Sequence, residues 1–425
     1  MKILLFAHIP PPHHGQSFMV QQLLAALGGD ARQRTDSAVV AEFDCYHVNA
    51  RFSDDVADIG RPRPGKLWWL LKYCGEALRM RWHTGVGCLF YVPAPPQNAA
   101  LVRDWLVMAL LRPFFPRRVF WWQAAGMGEW LADAAPPWKR WLTRRLVGRP
   151  SLSIVLSEWG RRDAEALSSE RIVVVANCIP DPCPNFATQL LPLRQARAAI
   201  RRRLLAGVRP SAVELVGGGE KPDRYQLLFL SLCTREKGLF DAVDAVALLN
   251  QRLAQAGCSL RVALTVAGDF RNQAERKEFL QRLGGPGLVD AMGEPLVRLL
   301  GFVTGENKTN LMRESDGLCF PTFYAAESFG IVLIEAMAWG LGIVTTRWRT
   351  IPDLFPTGFD GLVPVQSPEA IANTLEAQLG RDCVGRLRDW FLSRYTADHC
   401  LPVVKRALLD LERAEELAGN PRGQS

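Results

Sequence analysis

The chain has 425 residues, 48% hydrophobic and 22% charged, with a formal net charge of +8. That length predicts two domains, and the composition describes a globular protein and excludes a disordered one. No apolar stretch reaches the ~18 uncharged residues of a membrane span, so a membrane-spanning chain is not expected.

The chain opens "MKILLFAHIPPP". Its apolar run of ~7 residues ends in prolines without a small-residue cleavage pattern, so it reads as a buried first strand and not as a signal peptide. Further strands are predicted at "EFDCYHV" (42–48), "GCLFYVP" (87–93), "RRVFWWQ" (117–123), "LSIVLS" (152–157) and "RIVVVAN" (171–177). Helical stretches lie between them, among them 16–27 and 99–112. Such alternation implies a parallel sheet covered on both faces. After Asn177 the texture turns Pro- and Gly-rich around a basic stretch, and 181–223 reads as a linker with an insertion. Its "GGGEK" lacks the spacing of a Walker loop.

A second alternating series follows, with strands predicted at 226–232, 261–268, 297–303, 317–323, 342–346 and 361–365. The expected fold class is α/β: two doubly wound Rossmann-like domains, 1–180 and 224–387, facing across a cleft. A helix near 388–415 is expected to pack back on the first domain. Ligands are expected at the carboxyl ends of the strands.

Ten cysteines are scattered without a Cys-x-x-Cys or other metal-ligand spacing, and read as buried free thiols of a reducing cytoplasm. Charge is uneven. Residues 1–150 hold 19 Lys/Arg against 11 Asp/Glu and nine of the thirteen Trp, so the remainder is neutral. "GKLWWLLKYCGEALRMRWHTG" (65–85) and "PPWKRWLTRRLVGRP" (136–150) mix Trp and Leu with Lys and Arg at helical spacing. Two readings stand: helices lying in an anionic membrane surface, or ordinary amphipathic helices with a core face and a wet face. A nucleic-acid partner is not expected, since no binding motif is present.

Three stretches carry candidate chemistry. In "LSLCTREKGLF", Arg235 and Lys237 follow a strand's carboxyl end, and Gly238 allows the turn into a helix; a lysine there can neutralise phosphate. In "RVALTVAGDF", Gly268 ends a strand, where backbone can approach a ligand. The third is "GLCFPTFYAAESFGIVLIEAMAWGLGIVTT". A helix is expected from near Ser328–Gly330, with its first N–H groups forming an anion site. Glu335 would line that site from inside the helix, and Glu327 precedes it. A carboxylate accepts two hydrogen bonds from a vicinal diol such as ribose. A loop lysine or a strand-end glycine alone is commonplace. The full order of strand, "PTF", Glu, Phe-Gly, Glu-Ala-Met-Ala, Gly, strand, "IPDL" and "DGLV" is far more specific.

With these motifs the sequence resembles the retaining glycosyltransferases of family 4, which have the GT-B fold. The likeness is strongest over 226–375. The family's Glu, seven residues, Glu is Glu327 and Glu335; its E-x-F-G is Glu327-Ser328-Phe329-Gly330; its Lys-Gly is Lys237-Gly238. "VRLLGFVTG", which contains Val303, matches a further substrate-binding region. "IPPPHHGQS", "HVNARFSDDVADIG" and "LVRDWLV" resemble polysaccharide-assembly members.

The resemblance implies a nucleotide-diphosphate sugar bound mainly by the second domain. Glu335 would hold the ribose, Lys237 the departing diphosphate with help from Arg235, and Glu327 the transferred sugar. The main-chain N–H groups of Phe329, Gly330 and Ile331 would meet sugar or phosphate, and Gly15 would approach from the first domain. It implies no metal and no cofactor. The acceptor would be a lipid-linked glycan or polysaccharide precursor, and the enzyme cytoplasmic, peripheral on the inner face of the membrane.

Two positions depart from the family. Its Arg before the Lys is replaced by Ser231-Leu232. Its first-domain histidine turn is "WWQAAGMGEW", where Gln123 can hydrogen-bond a hydroxyl but cannot act as a base. His13 and His14 are the other polar residues near an acceptor. These departures keep a second reading open, a degenerate transferase that binds nucleotide sugar as a scaffold in a glycan-assembly complex.

Overall fold

The computed structural model describes residues 1–11, 15–34, 42–52, 64–218, 222–381 and 385–419. The chain divides into two compact units, Met1–Cys178 with Ala397–Ser425, and Ile179–Thr396.

Unit 1 runs β1 (Lys2–Phe6), α1 (Gly15–Ala26), β2 (Asp44–Val48), α2 (Pro64–Thr84), β3 (Cys88–Tyr91), α3 (Asn98–Leu111), β4 (Arg117–Trp121), α4 (Met127–Glu129), α5 (Pro137–Leu146), β5 (Leu152–Val155), α6 (Arg161–Ala166) and β6 (Ile172–Val174). The sheet order is β2-β1-β3-β4-β5-β6, with every pairing parallel. Ile3, Leu4, Leu5, Leu89 and Phe90 are fully buried, which is why these strands are continuous apolar runs without alternation. α2 closes one side of the core with Leu70, Cys74, Ala77 and Met80, spaced at three and four residues.

Unit 2 begins with α7 (Leu191–Leu205) and α8 (Ala212–Gly217). It continues through β7 (Arg224–Leu230), α9 (Leu239–Gln255), β8 (Arg261–Ala267), α10 (Gln273–Arg282), β9 (Val297–Gly301), α11 (Gly305–Glu314) and β10 (Gly317–Phe320). It ends with α12 (Ile331–Ala338), β11 (Gly342–Thr346), β12 (Leu362–Val363), α13 (Pro368–Gln378) and α14 (Arg386–Arg394). Its sheet, β12-β11-β10-β7-β8-β9, is also parallel throughout. The order reverses between β1 and β3 in unit 1 and between β7 and β10 in unit 2. At such a reversal the flanking loops diverge and leave a crevice at the carboxyl edge.

The stretch expected as linker and insertion is packed into unit 2. Arg194 is buried and donates to the Met312 carbonyl at 3.1 Å and to that of Ser315. Arg197 donates to Gly218 O (3.0 Å) and Glu314 O (2.8 Å), and Arg201 lies 3.1 Å from the Asp316 carboxylate. The basic face thus caps the C-terminal carbonyls of α11, where cations are favoured. The helix expected near 388–415 is two. α14 stays in unit 2, where Arg388 pairs with Asp181 at 2.6 Å, and α15 (Ala397–Gly419) belongs to unit 1. There Val404, Ala407, Leu408 and Leu411 are buried, and Asp410 meets Arg171 at 3.0 Å. Among the described residues no helix is long and apolar enough to cross a membrane. Nine cysteines are free thiols, seven of them buried; Cys383 lies outside the described residues.

Candidate functional site

The reversal between β7 and β10 brings two loops together. The first, 231–238, ends in a short 3-10 turn over Arg235–Lys237, capped by the Thr234 hydroxyl. Gly238 then takes φ 81°, and a Cβ there would stand 2.2 Å from the Pro321 carbonyl. Only glycine lets the Lys237 turn lie this close to the end of β10. The second loop, 321–330, enters α12 through Gly330, whose φ is 69°.

Across this reversal Lys237 Nζ meets Glu327 Oε2 at 2.6 Å, with the two side chains only 15% and 9% exposed. The Thr322 hydroxyl donates to the same carboxylate oxygen at 3.3 Å, and Lys237 Nζ sits 4.6 Å from the centre of the Tyr324 ring. A cation held by one carboxylate and a ring face, with little water between them, is strongly paired, and an anion reaches it only by displacing the carboxylate. Glu335 has its own cation: Lys308 Nζ of α11 lies 2.6 Å from Glu335 Oε1. Each acid of the Glu-seven-Glu pattern therefore carries a lysine from a neighbouring element. The first-turn N–H groups of α12 lie between the two acids in sequence; that of Leu333 donates to the Gly330 carbonyl at 2.8 Å, while Ile331 and Val332 precede the first residue with an i−4 acceptor in the helix.

The loop is fixed from outside. Trp348 Nε1–H donates to the Tyr324 carbonyl at 2.9 Å, and Arg349 donates to Ala325 O. Phe329 is buried edge-on to Tyr395, with ring centres 6.0 Å apart, which fixes the entry to α12. Ser328 and Ile331 are half-buried at the entrance to α12.

The remaining predicted residues are placed differently. Arg235 is clamped by α10, its Nη2 at 2.8 and 2.7 Å from the Glu278 carboxylate oxygens and its guanidinium 4.4 Å from the Phe240 ring centre. The structure therefore does not bring its guanidinium to Glu327. A Cβ on Gly268 would fall 1.8 Å from the Ser231 carbonyl, so this glycine serves the passage of the Lys237 loop over β8. Val303 is half-buried in the turn between β9 and α11, just ahead of Lys308. In unit 1, Gly15 is exposed at the start of α1, and His13 and His14 lie outside the described residues. Gln123 forms a reciprocal amide pair with buried Asn177, at 2.9 and 3.0 Å. That pair occupies both ends of its amide.

Sequence reasoning missed Lys308, Thr322, Tyr324 and Trp348. Lys308 sits in "TGENKTN" directly after the "VRLLGFVTG" stretch, which was the one available signal.

Residues 224–380 match the family model described as glycosyl transferases group 1. The chain is 27% identical over 212 residues to the amylovoran biosynthesis glycosyltransferase AmsK of Erwinia amylovora, covering 46% of this chain and 48% of that one. It is 40% identical to the phosphatidyl-myo-inositol mannosyltransferase of Mycobacterium tuberculosis over 20% of this chain and 24% of the relative. The chain thus spans about half the length of the first relative and a quarter of the second. Among solved structures, Anabaena Alr3699/HepE in complex with UDP and glucose superposes with a TM-score of 0.58 at 16% identity, covering 97% of this chain and all of the other. At that identity the likeness is one of fold: two Rossmann-like units of the GT-B class.

Proposed function

We propose that this chain is a glycosyltransferase that takes a hexose from a nucleotide-diphosphate sugar, with retention and without a metal, and adds it to a lipid-linked glycan or polysaccharide precursor at the cytoplasmic face of a membrane. The observation that carries the reading is the Lys237–Glu327 pair at the β7/β10 reversal, with the Glu335–Lys308 pair on the helix that follows Glu327 in the same unit. An entering diphosphate competes with Glu327 for the Lys237 ammonium. The freed carboxylate is then available to sugar hydroxyls, while the Glu335 carboxylate accepts from the ribose diol. As the sugar–phosphate bond breaks, charge grows on the diphosphate, and a fixed ammonium with helix N–H groups stabilises that charge more than the ground state. The likeness to AmsK, a glycosyltransferase of amylovoran biosynthesis, to the phosphatidyl-myo-inositol mannosyltransferase, and to HepE with its UDP and glucose supports donor and acceptor of these classes.

Calorimetry with UDP- and GDP-hexoses, followed by turnover with and without EDTA and determination of the product anomer, tests this reading. Absence of binding by every nucleotide sugar would sink it. The Gln123–Asn177 pair favours a second reading, a nucleotide-sugar-binding scaffold without turnover, because it occupies the amide that would otherwise meet an acceptor. Tight donor binding with no transfer to lipid-linked or soluble glycans would select it.

A further inference from the structure

α2 serves the core with small and medium residues, Leu70, Cys74, Ala77 and Met80, yet its largest rings lie outside. Trp68 is 70% exposed and Trp82 67%. An amphipathic helix that merely covered a core would have these reversed, since a buried tryptophan contributes the most apolar area. α3 packs between α2 and α5. Ring contacts join the three: Trp82 to Phe114 after α3 at 5.8 Å, and Trp105 of α3 to Trp138 of α5 at 6.0 Å. Trp138 and Trp141 are 59% and 66% exposed, and Val102 and Leu106 continue the apolar surface along α3.

The cations stand among the rings. Lys72 Nζ lies 4.6 Å from the Trp69 ring centre and Lys139 Nζ 5.4 Å from that of Trp138; Arg79, Arg144 and Arg145 are exposed on the same helices. Opposing acid is nearly absent. α5 has none, Glu76 of α2 is paired with Arg32, and Asp104 of α3 is buried beneath the Tyr91 hydroxyl. A second copy of the same face would set like charges against each other. A bilayer rich in anionic lipid meets both features, because tryptophan rings settle at headgroup level and lysine and arginine pair with the headgroups.

We propose that α2, α3 and α5 together form a face that docks unit 1 flat on an anionic lipid surface, with Trp68, Trp82, Trp138 and Trp141 entering the headgroup layer. This deepens the reading above by naming the surface that presents a lipid-linked acceptor, and it rests on that reading for the acceptor alone.

The test is flotation of the full chain with vesicles of phosphatidylcholine alone or mixed with phosphatidylglycerol. Binding is expected only to the mixed vesicles, weakening as salt rises. Brominated lipid should quench tryptophan emission. Lys72→Gln with Arg144→Gln and Arg145→Gln should lower partitioning about a hundredfold, each basic residue near an anionic surface contributing about fivefold. Trp68→Ser with Trp141→Ser, at exposed positions, should lower both partitioning and quenching. Binding indifferent to phosphatidylglycerol, or unchanged in both variants, overturns the proposal. So does a concentration-dependent dimer that the tryptophan variant abolishes, since a second copy would then cover the face. Nucleotide-sugar calorimetry on the same preparations separates failure here from failure of the donor reading.

Discussion

The two sheets reverse order in the same manner but furnish the reversal differently. In unit 1 the loops leaving β1 and β3 read "AHIPPP" and "VPAPPQ"; Pro10, Pro11, Pro93, Pro95 and Pro96 contribute no N–H donors. In unit 2 the corresponding loops, "SLCTREKG" and "PTFYAAESFG", contain one proline and carry the Lys237–Glu327 pair. A proline-lined edge solvates a diphosphate poorly, whereas an edge with N–H groups and an ammonium that can exchange its carboxylate partner suits one better. The same topology therefore carries an ion pair at the reversal in one unit and a proline-lined edge in the other. Unit 1 spends its cations on an outer helical face.

The strongest way to break this contrast is Lys237→Ala. Turnover should fall by ~10²–10³-fold, and by more than donor affinity, because the ammonium acts on charge that develops in the transition state. Removing one partner of a buried pair also costs stability, up to ~3–5 kcal/mol. The double variant Lys237→Ala/Glu327→Gln should recover melting temperature without recovering turnover. Equal losses in affinity and rate would reduce Lys237 to a binding group.

Glu335→Gln comes next. Loss of a charge-assisted hydrogen bond is ~1.5–3 kcal/mol, or roughly 10–150-fold in donor affinity by calorimetry. Lys308→Met should weaken affinity less, through a carboxylate no longer held in place. Unchanged affinity in Glu335→Gln would remove the ribose assignment.

Gln123→Ala sharpens the contrast from the other side. The amide pair with Asn177 predicts a loss of ~1–2 kcal/mol in thermal stability, with donor affinity untouched. A fall in turnover at unchanged stability would instead give unit 1's edge a part in the chemistry.

The smallest expected effect is at His47. Its Nε2–H donates to the Ala7 carbonyl at 2.8 Å, and burial lowers its pKa below the ordinary 6.5. The unfolded chain then binds the proton more readily, so the stability contributed by neutral His47 is full above about 6.5 and declines as pH falls through that value toward the folded pKa. Melting temperature should drop between pH 7.5 and 5.5 by more in the wild type than in His47→Gln. A parallel decline in both would remove His47 from the pH response.

Most of the fold was legible because the inner parallel strands, buried on both faces, leave uninterrupted apolar runs, and the twelve strands among the described residues fall within or overlap the stretches expected. The stretch 181–223 was not. Arg194, Arg197 and Arg201 look like a wet basic face, but they are buried against carbonyls and Asp316, partners far away in sequence. The motifs that hold Lys237, Glu327 and Glu335 could be read because each is local: strand-end loops for Lys237 and Glu327, and the body of α12 for Glu335. Lys308 and the Gln123–Asn177 pair depend on which strands become neighbours, and no local pattern records that. Trp68 and Trp82 fell between: the mixture of rings and cations is in the sequence, but which face meets the core is decided by the phase of α2.

α15 is made after all of unit 2, yet it completes the core of unit 1. Ile179 and Thr396 bridge where the chain leaves unit 1 and returns, and all of unit 2 is threaded between. During synthesis at ~5–20 residues per second, unit 1 waits on the order of ten seconds or more for Val404, Leu408 and Leu411 to emerge. Unit 2, contiguous in the chain, has every strand it needs before then. An expression fragment stopping at Cys178 lacks that helix and exposes the surface it covers, so a stand-alone unit 1 requires α15 grafted after β6 across a short loop replacing unit 2.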